Sequence, residues 1–346
     1  MLGIRCGSMQ DKKNLLYVKN LNLSLYGKER IVKIVDGIDL RVHEGETVGL
    51  IGETGAGKTV TARSIMGILQ PLGEGKPLWK IEGEVLFKGK DLLKLSEEEF
   101  RGLRGQEISM IFQDPVPSLH PMDIIGYQTG EAVEAHEDIE ILAKRKEMER
   151  IKRMVFDYLG KVEIADAKKR YYSFRNEFSG GEAQRILIAM ALIANPSLLI
   201  ADEPTHSLDV TVQRQVLELL KEVKKEFGLS MLLITHNLAV IAEMSDYVYV
   251  MYAGKILEHG DVYSIFKKPK HPYTRGLLSA TPRIDADFFE FGGVPGEPPS
   301  PPYDIPGCIF HPRCKKYAKP ICSEKEPMMI EFEPEHFVAC HRVNEI

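Results

Sequence analysis

Gly52-Glu53-Thr54-Gly55-Ala56-Gly57-Lys58-Thr59 follows the apolar run Val48 to Ile51 and precedes a stretch of helical spacing, roughly Thr59 to Leu69. This is the G-x-x-x-x-G-K-[ST] pattern of a phosphate-binding loop. Three glycines let backbone N–H groups turn inward around phosphate oxygens, Lys58 brings a point charge, and Thr59 offers a hydroxyl to Mg²⁺. The positive N-terminal end of the next helix, which includes Val60, points at the same anion. By average composition the pattern arises by chance in roughly 1% of chains this long. Its strand-loop-helix setting makes an idle glycine-rich turn a still poorer account. By itself the loop specifies a nucleotide and no particular chemistry.

The chain has 346 residues, more than one core comfortably holds, so a large domain with a smaller companion is expected. A net charge of −5 argues against electrostatic capture of nucleic acid. No apolar run approaches the length of a membrane span and the first residues do not read as a secretory signal. The expectation is a cytosolic protein or one docked on the cytosolic face of a membrane. The opening Met1 to Ser8 joins no periodic pattern, and Cys6 within it is assigned no role.

Leu15 to Leu25 and Val32 to Val42 read as two strands of a small antiparallel layer. Tyr26, at the end of the first, is either an adenine-stacking ring or a strand-end tyrosine at a surface. Pro71 to Pro77 reads as a loop, Ile81 to Phe87 as a strand, and Ser96-Glu97-Glu98-Glu99 as a capping box. A buried strand, Glu107 to Phe112, delivers Gln113 at its tip, a residue type suited to Mg²⁺ or to a water. From Thr129 to Leu159, Ile139, Leu142, Ile151, Met154, Val155 and Leu159 fall at helical spacing, as in an inserted helical subdomain.

Ser179-Gly180-Gly181 opens an apolar helix and forms a second candidate anion site. One nucleotide does not need two phosphate cradles; a dimer in which each subunit caps the other's nucleotide does. Leu198 to Ala201 is a buried strand ending in Asp202 and Glu203. The first suits Mg²⁺ held through water, the second a general base for an attacking water. Ser207-Leu208-Asp209 opens the next helix, and Met231 to Thr235 is a strand that ends at His236.

Taken together and in this order, the phosphate loop, Gln113, Ser179-Gly180-Gly181, Asp202-Glu203, Ser207-Leu208-Asp209 and His236 resemble the ATP-binding subunit of an ABC transporter, over about Leu15 to Phe266. His271-Pro272-Tyr273-Thr274-Arg275-Gly276-Leu277-Leu278, followed by a proline-rich stretch and four cysteines, resembles the C-terminal extension of the dipeptide/oligopeptide (peptide/nickel) importer branch. The resemblance implies an α/β P-loop NTPase (RecA-like) core with an antiparallel β subdomain and an inserted helical subdomain at about 114–178. It divides the chain into a tail at 1–11, an ATPase domain at 12–266 and an extension at 267–346.

The roles that the resemblance implies run as follows. Gly52 to Val60 and Tyr26 bind ATP; Thr59, Gln113 and Asp202 hold Mg²⁺; Glu203 is the catalytic base. Gln113 senses the γ-phosphate and His236 is its switch. Ser179, Gly180, Gly181 and Asp209 act at the interface with the nucleotide of the other subunit. The implied partners are a paralogous ATP-binding subunit, two transmembrane permease subunits and an extracytoplasmic substrate-binding protein, at the cytoplasmic face of the cell membrane. Implied cargo is di- or oligopeptide, with oligosaccharide or nickel as alternatives. A soluble ABC ATPase would commonly carry two ATPase halves or a long coiled coil, and a small-molecule kinase gives no reason for the second cradle. Phe178 and Glu182 stand where Leu and Gln are commoner, and His206 and Ser207 where Thr and Ala are usual. Next to the inter-subunit loop, His206 is either a pH-sensitive element or a neutral surface substitution.

Gly292 to Gly307 is rich in proline and reads as a stiff, extended linker. The cysteines beyond it, Cys308, Cys314, Cys322 and Cys340, run C-x5-C-x7-C-x17-C, which specifies soft ligands and no particular metal. The resemblance favours a [4Fe–4S] cluster over Zn²⁺, with His311, His336 and His341 as substitute ligands. A tail this short is expected to need such a staple.

Overall fold

Thirteen-residue runs with alternating burial make β1 (Asn14–Tyr26) and β2 (Ile31–His43) one-sided strands that pair antiparallel. The computed structural model describes residues 13–26, 30–69, 78–136, 144–280 and 293–345. The expectations for Met1 to Ser8, Cys6, the loop Pro71 to Pro77, Ile139, Leu142 and Gly292 fall outside them. β4 (Trp79–Phe87) pairs with the other side of β1, and β5 (Lys90–Asp91) completes a four-stranded antiparallel sheet in the order β2-β1-β4-β5.

The second sheet has eight strands. β3 (Thr47–Ile51), β6 (Ile108–Ile111), β7 (Leu198–Asp202) and β8 (Ser230–Ile234) are short, buried throughout and parallel. Runs apolar on both faces belong to a sheet covered on both sides. β9 (Tyr247–Tyr252) lies parallel to β3, and β10 (Lys255–Asp261) turns back antiparallel to it. β11 (Ile330–Glu333) and β12 (His336–Val338) extend that edge, giving the order β11-β12-β10-β9-β3-β8-β7-β6. Alternate residues of each central strand serve two cores. Leu198, Ile200, Leu232 and Ile234 face the antiparallel sheet, while Leu199, Ala201, Met231 and Leu233 face the helical side.

Helix α1 (Lys58–Ile65) follows the phosphate loop, and α2 (Glu97–Arg101) starts at Ser96 with the expected capping box. α3 (Pro115–Ser118), α4 (Ile125–Glu134), α5 (Lys144–Lys161) and α6 (Ala167–Arg170) lead to α7 (Gly180–Leu192). Ile151, Val155 and Leu159 of α5 form its buried stripe. α8 (Val210–Phe227) and α9 (Leu238–Met244) link the later strands, and α10 (Val262–Lys267), α11 (Pro272–Ser279) and α12 (Ile321–Glu324) belong to the C-terminal third. No helix among the described residues is long and apolar enough to cross a membrane.

α1 is shorter than the spacing predicts. Gly67, at φ +61°, ends it; its N–H donates to the Ser64 carbonyl and that of Ile68 to the Arg63 carbonyl. This left-handed closure overrides the apolar residues Ile68 and Leu69, which only appear to continue the helix.

The metal-stapled tail is the expectation that the structure does not support. Among the described residues no group of three or more His, Cys, Asp or Glu side chains is arranged to hold a metal ion. Cys308, Cys314, Cys322 and Cys340 do line one cavity, together with His271, His311 and His341, but it measures only about 10 Å³. Burial pushes the Cys308 thiol up to about 12 and the Cys340 thiol to about 11, and raises Cys314 as well, so a metal bound there would have to displace these protons. The buried His271 Nε2 has no hydrogen-bond partner and lines the same cavity. A different staple is present. The C-terminal region borrows the core of the preceding α/β unit: Phe310 packs on Tyr252 and Tyr273 with ring centroids 5.3 and 5.4 Å apart, and β12 pairs with β10. At that junction the buried Glu258 carboxylate accepts from the Lys270 N–H at 2.6 Å, the His271 N–H at 3.0 Å and His336 Nε2 at 2.7 Å.

Candidate active site

In register, Leu50 stands beside Ile234, Ile234 beside Asp202, and Ala201 beside Ile111. The carboxyl ends of β3, β8, β7 and β6 therefore lie at one edge of the sheet. The segments leaving that edge carry Gly52 to Thr59, Thr235 and His236, Glu203, and Gln113. Crevices at such strand ends are where open α/β sheets hold ligands.

The phosphate loop is shaped by its glycines. A Cβ on Gly52 would lie 2.0 Å from the Met251 carbonyl oxygen, so β9 passes too close for any side chain there. Gly57 combines φ +107° with the Met251 methyl 2.8 Å from where its Cβ would be. Gly55, Thr54 and Ala56 complete the turn, and Val60 is half-buried one residue into α1 beyond Thr59. Lys58 is 8% exposed and donates to the Gly52 and Glu53 carbonyls at 2.7 and 3.0 Å. Burial lowers its pKa; the nearby carboxylates of Glu203, Asp202 and Glu53 work in the opposite direction.

At the foot of the loop, Thr59 Oγ1 donates to Asp202 Oδ1 at 3.2 Å. Burial raises the Asp202 carboxyl above the usual aspartate range, opposed by that hydrogen bond. Two oxygen donors side by side next to a phosphate cradle fit Mg²⁺, which takes one or two carboxylates plus substrate phosphates and needs no all-protein cage. Glu203 follows immediately and is clamped: Oε2 accepts from Thr235 Oγ1 at 3.0 Å, and Oε1 accepts from the His236 N–H at 3.1 Å and lies 2.7 Å from His236 Nδ1. The structure thus joins Lys58, Thr59, Asp202, Glu203 and His236. Gln113 lies exposed just beyond β6 at the same edge. Tyr26 ends β1 with its side chain 41% exposed. His206 sits with its ring 6.2 Å from that of His236.

Ser179 is the N-cap of α7. Its Oγ accepts the Glu182 N–H at 3.2 Å, and Glu182 Oε2 accepts the Ser179 N–H at 2.8 Å. Burial raises the Glu182 carboxyl, but that N–H, Arg170 at 2.8 Å and the Ser179 hydroxyl outweigh it, and its pKa lies below the ordinary range. A Cβ on Gly180 would only touch the Leu208 side chain at 4.0 Å, whereas one on Gly181 would meet the Val212 side chain at 2.5 Å. Asp209 caps α8, accepting from the N–H groups of Thr211 and Val212 at 3.1 and 3.0 Å. These residues make their hydrogen bonds within their own caps and present an exposed helix start.

Sequence reading did not find the side chains that reach the loop from the far end of the chain. The Tyr273 hydroxyl accepts the Glu53 N–H at 2.9 Å, the Tyr303 hydroxyl donates to the Gly55 carbonyl at 2.7 Å, and Arg313 pairs with the Glu53 carboxylate. One signal was present: Glu53 puts a carboxylate-bearing residue in the anion-binding loop and so calls for a cation.

Comparison with known proteins agrees with this geometry. Residues 35–206 match the family described as ABC transporter, and residues 257–322 match the oligopeptide/dipeptide transporter C-terminal region. The chain is 44% identical over 331 residues to the dipeptide transport ATP-binding protein DppD of Bacillus subtilis, covering 95% of this chain and 94% of that one. It is 42% identical over 335 residues to the oligopeptide transport ATP-binding protein OppD of Escherichia coli, covering 97% and 95%. In fold it is similar to the ATP-binding cassette MJ0796, solved as a dimer in a post-hydrolysis state bound to ADP and Pi. That match has a TM-score of 0.61 at 23% identity and covers 71% of this chain and 98% of that one. It is also similar to cbiO1 from Clostridium perfringens, part of the cbiONQ ABC transporter complex, with a TM-score of 0.60 at 26% identity, covering 74% and 92%.

Proposed function

This chain belongs to the ABC transporter family, in its oligopeptide/dipeptide branch, and from that premise we propose that it is the ATP-hydrolysing subunit that energises a di- or oligopeptide importer. The observation that carries the chemistry is the convergence of Lys58, the Thr59–Asp202 pair and the clamped Glu203 at one sheet edge. Lys58 and the backbone of Gly52 to Thr59 hold the phosphates, and Tyr26, exposed at the end of β1, stacks on the base. Thr59 and Asp202, with Gln113 beside them, would hold Mg²⁺, which when bound neutralises charge on the transferring phosphoryl group. Glu203 accepts a proton from the attacking water, and His236, on the same carboxylate, orients it and reaches the γ-phosphate. Transfer to water is accelerated mainly by positioning and electrostatics.

The exposed starts of α7 and α8, with Ser179, Gly180, Gly181 and Asp209, support a second role: closing on the nucleotide of a partner ATPase subunit, which the resemblance suggests is a paralogue. Two permease subunits and a substrate-binding protein complete the complex, with this chain peripheral on the cytoplasmic face. Residues 12–266 serve as the ATPase unit, about 114–178 as its helical part, and 267–346 as the branch-specific extension. The four thiols around one cavity suit a soft metal, and only the resemblance favours a [4Fe–4S] cluster there over Zn²⁺; the cavity's small size counts against the cluster, and no step of the cycle passes through it. The test is isolation of the complex with its binding protein, identification of the bound ligand, and measurement of ATP hydrolysis with and without it. Peptide ligand and ligand-stimulated hydrolysis are expected. Failure to co-purify with polytopic membrane subunits would sink the importer assignment, and a bound oligosaccharide or nickel would redirect the cargo.

A further inference from the structure

The phosphate loop is gripped from outside by three separate segments of the C-terminal region. Tyr273 comes from α11, Tyr303 from the proline-rich stretch, and Arg313 from just before Cys314. Arg313 makes a two-bond fork with Glu53, Nη1 to Oε2 at 2.6 Å and Nη2 to Oε1 at 3.0 Å. Its other donors are fixed by the Pro295 carbonyl at 2.7 Å, the Gly296 carbonyl at 2.8 Å and the Tyr252 hydroxyl at 3.3 Å. The Arg313 side chain is 7% exposed and that of Glu53 22%, so water screens the pair weakly. A planar guanidinium held at this many points is a rigid clamp rather than a loose surface cation.

Glu53 explains why a clamp is needed. Glu53 stands one residue past the first glycine, in the loop that must take a polyanion, and its carboxylate, unneutralised, repels the phosphates. We infer that the C-terminal extension is a working part of the ATP site. In it, Arg313 is a positioning residue that neutralises Glu53 and, with Tyr303 and Tyr273, holds the loop in its phosphate-binding shape. ATP affinity then depends on how the extension is seated, and by linkage ATP binding reports back to the extension. This inference rests on the reading that Gly52 to Thr59 hold ATP.

The test uses full-length protein titrated with MgATP below the melting temperature, beside Arg313→Ala, Arg313→Lys, Glu53→Gln and the Glu53→Gln/Arg313→Ala double variant. Loss of the clamp with the carboxylate left in place is expected to weaken ATP binding roughly tenfold. Lysine, a point charge without the fork, recovers part of it. The double variant should return to within about threefold of Glu53→Gln alone, because the repelling charge has gone. A merely structural Arg313 would lower the melting temperature of the single and double variants alike and leave ATP affinity of the folded protein unchanged; that result overturns the inference. Should Arg313→Ala not fold, Tyr303→Phe removes one hydroxyl and no packing. It is expected to bind ATP about threefold more weakly, and wild-type affinity there overturns the inference too. If the unaltered protein does not bind MgATP, the reading of the loop itself falls, a different failure from a variant that binds as well as its parent.

Discussion

Glu203 holds a left-handed backbone conformation, φ +50°, at the end of β7. A non-glycine residue kept there costs roughly 1–3 kcal/mol and persists only where its surroundings over-determine it. Here Thr235 and His236 do so, and the strain aims the carboxylate out of the strand line. Glu203→Gln keeps the shape and removes the base. It is expected to bind MgATP normally and to lower phosphate release by at least about 100-fold; normal turnover would remove Glu203 from that role. Asp202 makes the complementary prediction. Its folded pKa is raised, so its contribution to stability is complete below the unfolded pKa and is lost as pH rises through the folded one. Ionising the buried Asp202 as pH rises through that folded pKa is therefore a cost. Asp202→Asn should melt at a higher temperature than the parent at neutral pH, with the gain shrinking in acid, while losing Mg²⁺-dependent ATP affinity. Lys58, Thr59, Asp202 and Glu203 were legible because each stands in a contiguous motif. Arg313, Tyr273 and Tyr303 were not, because 220 to 260 residues separate two of them from Glu53 and no local pattern encodes the meeting.

Among elements, α7 shows how one departure from the commoner signature works. Glu182 replaces a neutral side chain, and its carboxylate both closes the capping box on Ser179 and receives Arg170. Glu182→Ala should cost about 1 kcal/mol, read as a lower thermal midpoint. Glu182→Gln should keep most of the cap, since an amide oxygen can still accept the Ser179 N–H. Equal losses in the two variants would mean that the Arg170 pair, and not the cap, carries the effect. The strands were legible for a simple reason: alternation and short, wholly apolar runs are what one-sided and two-sided sheets require. The end of α1 was less so, because Ile68 and Leu69 keep the apolar count going while Gly67 turns the backbone away. Side-chain periodicity and backbone closure are separate signals, and at Gly67 the second prevails.

At the scale of the molecule, the eight-stranded sheet is finished by strands from the C-terminal region, so the extension is bound into the ATPase core and has no core of its own to hold together. Cysteine count and shortness pointed to a metal staple, whereas the packing of Phe310 on Tyr252 and Tyr273 supplies the burial that the tail lacks alone. The key polar joint is Glu258, wholly buried, with three donors from Lys270, His271 and His336. Glu258→Ala leaves those donors stranded and is expected to cost about 3–5 kcal/mol. The same change should open the seam between β10 and β12, so that limited proteolysis cuts the extension free before the ATPase core unfolds. If Glu258 and the Phe310 packing hold the extension by themselves, chelator treatment of the unaltered protein should leave both melting temperature and proteolytic pattern in place. A large fall in melting temperature on chelation, with iron and sulfide released together, would instead make the cysteines the staple and reduce Glu258 to a supporting contact.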